Sequence, residues 1–103
     1  MLESITRDQF AQRLNTKFRL TREGAEAIEL ELISVSELKV LRSGKKSFEN
    51  FSLMFCGPKE SLLPQKSYAF QHDALGAFDL FIVPLGVDET GVQYQAVFNR
   101  MAG

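Results

Sequence analysis

The chain has 103 residues, of which 45% are hydrophobic and 24% are charged, and its formal net charge at pH 7 is −1. This length and composition predict one soluble globular domain with enough apolar surface for a single core. Because positive and negative charges balance, no basic field is available to attract nucleic acid or an anionic membrane, and neither is expected as a partner.

The chain contains one cysteine, Cys56, which has no second cysteine to pair with, so nothing requires an oxidising compartment. The opening residues MLESITRDQFAQRL carry charges throughout and include no apolar h-region, so no signal peptide is predicted. The longest apolar run, from Leu80 to Leu85, is far shorter than the roughly 20 residues that span a bilayer. We therefore expect a cytoplasmic protein with a single domain over residues 1–103.

The first predicted element is a short amphipathic helix over Thr6–Leu14. Thr6 and Gln9 have the spacing of a capping box, in which each side chain accepts a backbone hydrogen bond from the other residue. Phe10 and Leu14 are four residues apart and share one face of a helix. A helix this short is marginal alone in water, so we expect it to dock on the rest of the chain through Phe10 and Leu14.

Alternating apolar and polar residues then predict strands. One strand is predicted over Lys17–Thr21, and the segment Ala27–Leu41 begins with the strictly alternating IELEL. Glu and Leu also favour helices, but a helix would spread these apolar residues around its circumference. The alternation slips by one residue at Leu32–Ile33, which predicts a bulge or bend near Ile33–Ser36 and a second strand segment at Glu37–Leu41.

The next predicted strand, Phe48–Cys56, follows the polar basic loop Arg42–Ser47, which is interpreted as the solvated tip of a hairpin. Gly57-Pro58 ends this strand, because proline cannot donate to a ladder. The connection that follows contains Leu62–Leu63. Two exposed leucines would be unfavourable, so we expect this connection to lie over one end of the core.

The densest apolar part of the chain is predicted to form three strands and two polar turns, with the strands at Ser67–His72, Ala77–Val83 and Val92–Phe98. In the middle strand, Phe81 and Val83 make the second face apolar as well, so we expect the N-terminal helix to cover that face. Pro84 is expected to end this strand, Gly86–Gly91 to hold the second turn, and Asn99–Gly103 to form a tail.

One helix and about six strands joined by short turns predict a mainly β protein with antiparallel pairing. Several strands are apolar on both sides, whereas a flat single sheet would leave one face in water. We therefore predict a strongly curled sheet or small barrel, with the short N-terminal helix packed on it. A two-layer α+β arrangement is the alternative.

Three segments, FSLMFCGP, LPQKSYAFQHDALGAFDLFIVPLG and GVQYQAVFN, occur in this order after the opening SITRDQFAQRLNTKFRL. In this order they resemble a family of small bacterial β-rich proteins that contain a domain of unknown function. The resemblance covers nearly the whole chain. It implies an accessory role, in some members beside phage-tail-like collar proteins, and it implies no catalytic residue.

His72 is the only histidine, and the neighbouring Asp73 can orient its imidazole. Catalysis needs a second reactive group and metal binding needs three or four ligands, and no residue spacing supplies either, so His72 is interpreted as structural and bonded to the turn backbone. Cys56 is interpreted as a small, partly buried strand residue. No catalytic, cofactor-binding or metal-binding residue is predicted.

Two other groups have non-catalytic explanations. Glu29 and Glu31 share a strand face about 7 Å apart, which suits paired carboxylates in glycoside hydrolysis, but solvent-facing alternation explains them without chemistry and is preferred. Four aromatic residues have the spacing of a stacking platform for single-stranded nucleic acid, but the chain lacks a basic groove, so core packing is preferred for Tyr68, Phe70, Tyr94 and Phe98.

Three functions follow from these observations. The one we adopt is a non-enzymatic accessory or protein-interaction module, which binds a protein partner or a second copy through a strand edge or through Leu62–Leu63. The second is a small-ligand carrier with a Phe-lined barrel interior. The third is an enzyme that uses His72 with Asp73 or Cys56.

Overall fold

The computed structural model describes residues 5–101, which form one short helix and seven strands. The helix is α1 (Arg7–Ala11), and the strands are β1 (Lys17–Arg22), β2 (Ala25–Val35), β3 (Lys39–Ser43), β4 (Lys46–Gly57), β5 (Lys66–His72), β6 (Gly76–Asp88) and β7 (Gly91–Met101). The mainly β prediction is confirmed, with one strand more than expected because residues 27–41 divide between β2 and β3. Within residues 5–101, no helix has the length and apolar content needed to cross a membrane.

All seven strands form one antiparallel sheet in the order β2-β1-β5-β6-β7-β4-β3. β2 also pairs with β4, so six of the strands curl into a ring. β3 lies outside the ring and pairs with β4. The curled sheet predicted from the two-sided apolar strands is therefore confirmed, and the two-layer alternative is not observed.

β2 joins two sides of the ring because it pairs with β1 along one edge and with β4 along the other. Glu31 lies opposite Lys17 on β1 and opposite Cys56 on β4, and from there onward β2 pairs with β4. The ladder with β4 shifts between Leu32 and Ser34, which confirms the predicted bulge. The extra residue turns the strand without moving its preceding apolar residues out of the interior.

The prediction that Pro84 ends a strand is wrong, because β6 continues through it to Asp88. The first half of β6 pairs with β5, and from Val83 onward the strand pairs with β7. The ladder shifts register between Pro84 and Gly86. Proline is tolerated at such an irregularity, so Pro84 marks the point where β6 changes neighbours. The second turn is correspondingly shorter than the predicted Gly86–Gly91.

β7 is also longer than predicted. Asn99 pairs with Asn50 and Met101 pairs with Phe48, so residues 99–101 belong to the strand and not to a tail. Residues 102 and 103 of the predicted tail lie outside the described part of the chain. The extension matters because it gives β4 a partner beyond the ring.

The interior of the ring is filled with aromatic and aliphatic side chains. Phe51 and Phe98 stack with their ring centroids 4.5 Å apart, and Phe70 and Phe78 stack at 5.8 Å. The predicted core packing of four aromatic residues is confirmed, since all four are buried: Tyr68, Phe70, Tyr94 and Phe98. These rings occupy the space that the interior of a ligand carrier would leave open.

α1 closes one end of the ring. The predicted capping box is confirmed: the Gln9 amide donates to Thr6 Oγ1 and the Thr6 amide donates to Gln9 Oε1. The side chain of Phe10 is fully buried. Its ring centroid lies 6.3, 6.0 and 5.5 Å from those of Phe51, Phe78 and Phe98.

Two expectations for the helix are wrong. Leu14 lies beyond the end of α1 and is 41% exposed, so Phe10 alone of the two anchors the element. The outer face of β6 is not covered by α1 either, since Phe81 is 48% exposed. The reason is that α1 packs on the inner side of the sheet, where Phe10 contacts Phe51, Phe78 and Phe98.

The connection between β4 and β5 covers the other end of the ring, as predicted, but its two leucines differ. Leu63 is 2% exposed and Leu62 is 64% exposed. The Leu63 amide donates to Tyr94 Oη at 3.0 Å, and Tyr68 Oη donates to the Pro64 carbonyl at 2.7 Å. Tyr94 Oη in turn donates to the Ser61 carbonyl at 3.2 Å, and burial raises the pKa of both tyrosine hydroxyls, which keeps them protonated.

Candidate functional site

His72 ends β5 and is 8% exposed. Its Nδ1 accepts a hydrogen bond from the Ala74 amide at 3.0 Å, so the neutral ring carries its proton on Nε2. Nε2 lies 2.9 Å from Thr16 Oγ1, and the Thr16 hydroxyl donates to the Arg13 carbonyl at 2.6 Å. Both ring nitrogens are therefore engaged, and the turn-backbone bond predicted for His72 is present.

The surroundings of His72 favour its neutral form. Burial lowers the pKa of the imidazole, the Arg13 guanidinium lowers it further, and the Asp73 carboxylate raises it. The ring of Phe18 stands against the imidazole with centroids 4.4 Å apart. Asp73 therefore acts on His72 through its charge, whereas the bonds that orient the ring come from Thr16 and Ala74.

A cavity of about 350 Å³ opens beside His72, between the turn after α1, the outer face of β1 and β2, and the end of β5. We call it the His72 cavity. Its charged lining residues are Arg13, Lys17, Arg19, Glu29 and Asp73. Its walls thus combine a buried imidazole with cations and carboxylates.

Cys56 lines an adjoining cavity, of about 680 Å³, on the outer face of β1, β2 and the end of β4, which shares Lys17, Arg19 and Glu29 with the His72 cavity. The side chain is half-buried, with Sγ 3.6 Å from the Thr90 carbonyl oxygen and 3.8 Å from Thr90 Oγ1. Its neighbours across the sheet are Glu31 and Gln93. Cys56 and His72 thus line different cavities and contact different residues, so the structure does not bring them together as a dyad.

The carboxylates Glu29 and Glu31 lie on the outer face of β2, as their alternation predicts. Glu29 is opposite Arg19 and Glu31 is opposite Lys17 on β1. Lys17 Nζ lies 3.7 Å from Glu31 Oε1. Within residues 5–101, no group of three His, Cys, Asp or Glu side chains is arranged to hold a metal ion.

The hairpin between β6 and β7 contains a carboxylate that the sequence analysis missed. Asp88 accepts hydrogen bonds from the Thr90 side chain, the Gln93 side chain and the amides of Thr90 and Gly91, and these bonds lower the pKa of its carboxyl to about 2. Gly91 is required here, because it has φ +146° and a Cβ atom would overlap the Gly57 carbonyl. The DETG sequence was the available signal, and it is typical of an Asx turn.

β3, the adjoining half of β4 and the end of β7 project beyond the ring. We call this part the arm and define it as residues 37–50 and 99–101. All five residues of β3 are exposed, and the molecule measures 46 × 26 × 24 Å along its principal axes. Gly44, in the hairpin turn, has φ +63°, as a type II′ turn requires at its first central position. The predicted solvated hairpin tip is confirmed.

The arm presents an apolar row and a strand edge together. Leu41 lies opposite Phe48, which lies opposite Met101 on β7. Leu41 is 58% exposed and Met101 is 61% exposed. Among the described strands, only β4 pairs with β3, so the outer edge of β3 is unpaired there. We call these three side chains the apolar row.

The arm also has a charge opposite in sign to that of the whole chain. Four cations and one anion lie between residues 37 and 46, which gives a net +3 where the chain has −1: Glu37, Lys39, Arg42, Lys45 and Lys46. The arm is thus a basic, partly apolar surface beside an unpaired strand edge.

The chain belongs to a protein family described as a domain of unknown function, DUF6916, whose model matches residues 5–98. The family resemblance noted in the sequence is therefore confirmed as that of a domain of unknown function. Comparisons with curated proteins and with solved structures found no match.

Proposed function

We propose that this chain is a non-enzymatic protein-interaction module whose arm binds an extended acidic segment of another protein along β3. The observation that supports this most directly is the unpaired outer edge of β3 on a solvated arm. An exposed edge strand presents backbone N–H and C=O groups that another strand can pair with.

Two further features of the arm would add to such pairing. The apolar row gives the side chains of an added strand a surface to cover, and Leu41 and Met101 are both more than half exposed. Val40, on the opposite face of β3, is 51% exposed and provides a second apolar contact. Backbone pairing supplies affinity in this mode of recognition, and the alternating side chains supply specificity.

Charge favours a different protein over a second copy of this chain as the partner. Two copies meeting edge to edge would bring one net +3 segment against another. Such charges repel within a Debye length of about 8–10 Å at physiological ionic strength. An acidic segment would gain from the same field, which also steers association.

Other parts of the molecule support binding over catalysis or carriage. Both nitrogens of His72 are engaged in structural hydrogen bonds. The interior that a carrier would use is packed with phenylalanine rings. The proposed setting is an accessory role in a phage-tail-like assembly, to which the family resemblance points, and a cytoplasmic location, which the sequence led us to expect.

The test selects peptides from a random library displayed on phage, using the immobilised chain as bait. We expect the enriched peptides to be acidic, with acidic and apolar residues alternating along each of them. Binding of a synthetic copy should slow hydrogen exchange of the β3 amides, because pairing covers the outer edge of that strand.

The matched variants are Leu41→Asp on the arm and Val97→Asp on the outer face of the ring, whose wild-type side chains are 58% and 62% exposed. Leu41→Asp should abolish peptide binding and Val97→Asp should preserve it. Enrichment of basic peptides, protection of amides outside the arm, or wild-type binding by Leu41→Asp would each contradict the proposal. A dimer in light scattering that Leu41→Asp dissolves would identify a second copy as the partner instead.

A further inference from the structure

The His72 cavity lies on another part of the molecule and has no role in the binding just described. We infer that it binds a small oxyanion, a carboxylate or phosphate group, through the guanidinium groups of Arg13 and Arg19. The inference is independent of the proposed function of the arm.

Arg13 is held at the cavity by a fixed backbone. Its carbonyl accepts hydrogen bonds from the Thr16 amide and hydroxyl, and the neighbouring Asn15 amide donates to the Leu32 carbonyl. Arg13 Nε is shielded from solvent and has no hydrogen-bond acceptor among residues 5–101. The guanidinium has therefore lost part of its hydration without gaining a partner, which increases its electrostatic gain from an anion.

Arg19 brings a second cation to the same cavity. It lies on the outer face of β1, between Glu29 on β2 and Gln71 on β5, and all three residues line the cavity. The ion pairs found among the described residues are Arg7 with Asp8 and Lys17 with Glu31, so neither Arg13 nor Arg19 is in one. A guanidinium with free donors matches the two oxygens of a carboxylate or phosphate.

The size and charge of the cavity agree with such a ligand. Three cations and two carboxylates line it, and because Lys17 pairs with Glu31 outside the cavity, the two arginines are the cations left to hold an anion: Arg13, Lys17, Arg19, Glu29 and Asp73. The volume of about 350 Å³ lies at the lower end of the range for small-molecule sites. An oxyanion with a small organic group would fit that volume.

His72 supplies a spectroscopic reporter of binding. Its imidazole lines the cavity, and the Arg13 charge acts to lower its pKa. An anion beside Arg13 would offset that charge and raise the pKa of His72. The NMR chemical shifts of the His72 ring would therefore report anion binding beside Arg13.

The test titrates the full chain with inorganic phosphate and, separately, with sodium acetate, while sodium chloride holds the ionic strength constant. NMR follows the His72 ring and the amides around the cavity. We expect saturable shifts and a higher His72 pKa. Arg13→Gln and Arg19→Gln should each weaken binding about tenfold, whereas Lys59→Gln, at an exposed residue outside both the cavity and the arm, should leave it unchanged.

Each outcome decides the matter. Saturation with phosphate alone, acetate alone or both supports the site and identifies its ligand class. No saturable shift with either probe, or an undiminished response in both cavity variants, overturns it. Arg19 is exposed, so Arg19→Gln provides the measurement even where thermal unfolding shows that Arg13→Gln disturbs the fold.

Discussion

Strand β4 passes from the arm into the ring, and the surroundings of its side chains change on the way. In the ring, Phe51, Leu53 and Phe55 are almost completely buried. In the arm, β4 pairs with β3, and the β3 residues Val40 and Leu41 are more than half exposed. Both segments have strand-forming sequences. The difference is that the ring closes around one face of its strands, whereas nothing described in the chain covers either face of β3.

This contrast separates the forces that hold the two regions. The ring is held by the burial of apolar side chains, which is the dominant favourable term in folding. The arm is held by backbone pairing and a well-formed turn, and a two-stranded hairpin with no covered face is marginal by itself. β4 and β7 both continue outward from the ring, where Phe48 pairs with Met101. The end of β7 therefore gives the arm a third strand.

The largest effect is expected at the helix end of the ring. Phe10→Ala removes a fully buried ring that contacts three other phenylalanines, so it should lower the free energy of unfolding by about 3–5 kcal/mol. Urea denaturation measures this. Leu14→Ala, four residues later and 41% exposed, should change it by about 0.5 kcal/mol or less. Equal losses in the two variants would show that α1 does not close the ring.

A change of pH is expected to have an intermediate effect on the free energy of unfolding. It acts through His72, which lies where the ring meets the His72 cavity. The folded state lowers the pKa of His72, through burial and Arg13 and against Asp73, so folding favours the neutral imidazole. The resulting stability is present above the unfolded pKa of about 6.5 and is lost as pH falls below it, by at most about 1.4 kcal/mol per pH unit.

The measurement is the free energy of unfolding between about pH 7.5 and pH 5, a window in which carboxylates at their ordinary pKa stay largely ionised. Wild-type protein should lose stability across this window, and His72→Gln should show a flatter profile. Parallel profiles would mean that His72 is not held in its neutral form. Asp88 does not interfere, because its carboxyl has a pKa of about 2.

The smallest effect on stability is expected in the arm. Leu41→Ser, at a residue that is 58% exposed, should change the free energy of unfolding by about 0.5 kcal/mol or less. Leu53→Ala in the same sheet removes a fully buried leucine and should cost about 2–5 kcal/mol. A large loss in Leu41→Ser would place the apolar row in the core and would remove the contrast between the two regions.

Features set by neighbouring residues were predictable from the sequence. The capping box of Thr6 and Gln9, the bulge at Ile33 and the bond of His72 to its own turn each depend on residues a few positions apart. The curl of the sheet was also predictable, because strands with two apolar faces rarely suit a flat sheet. Each of these signals is local or sums over many residues.

Features set by distant residues were not predictable. Thr16 binds His72 across 56 positions of the chain, and no periodicity links the two. Pro84 was predicted to end a strand, because proline cannot donate to a regular ladder. The irregularity that accommodates it lies in the ladder with β7 and cannot be read from the residues around Pro84. Phe81 was predicted to be covered by another element. The sequence of a strand does not reveal whether an apolar outer face is packed against such an element. Those outcomes depend on which strands become neighbours.

The position of α1 has a consequence for how the chain folds. The helix precedes every strand, yet the three phenylalanines around Phe10 come from β4, β6 and β7, the last at Phe98. Ring closure likewise waits for β7, because β7 links β6 to β4. Contacts between such distant residues slow folding. During synthesis, α1 therefore lacks its full set of packing partners until Phe98, near the end of the described residues, has left the ribosome.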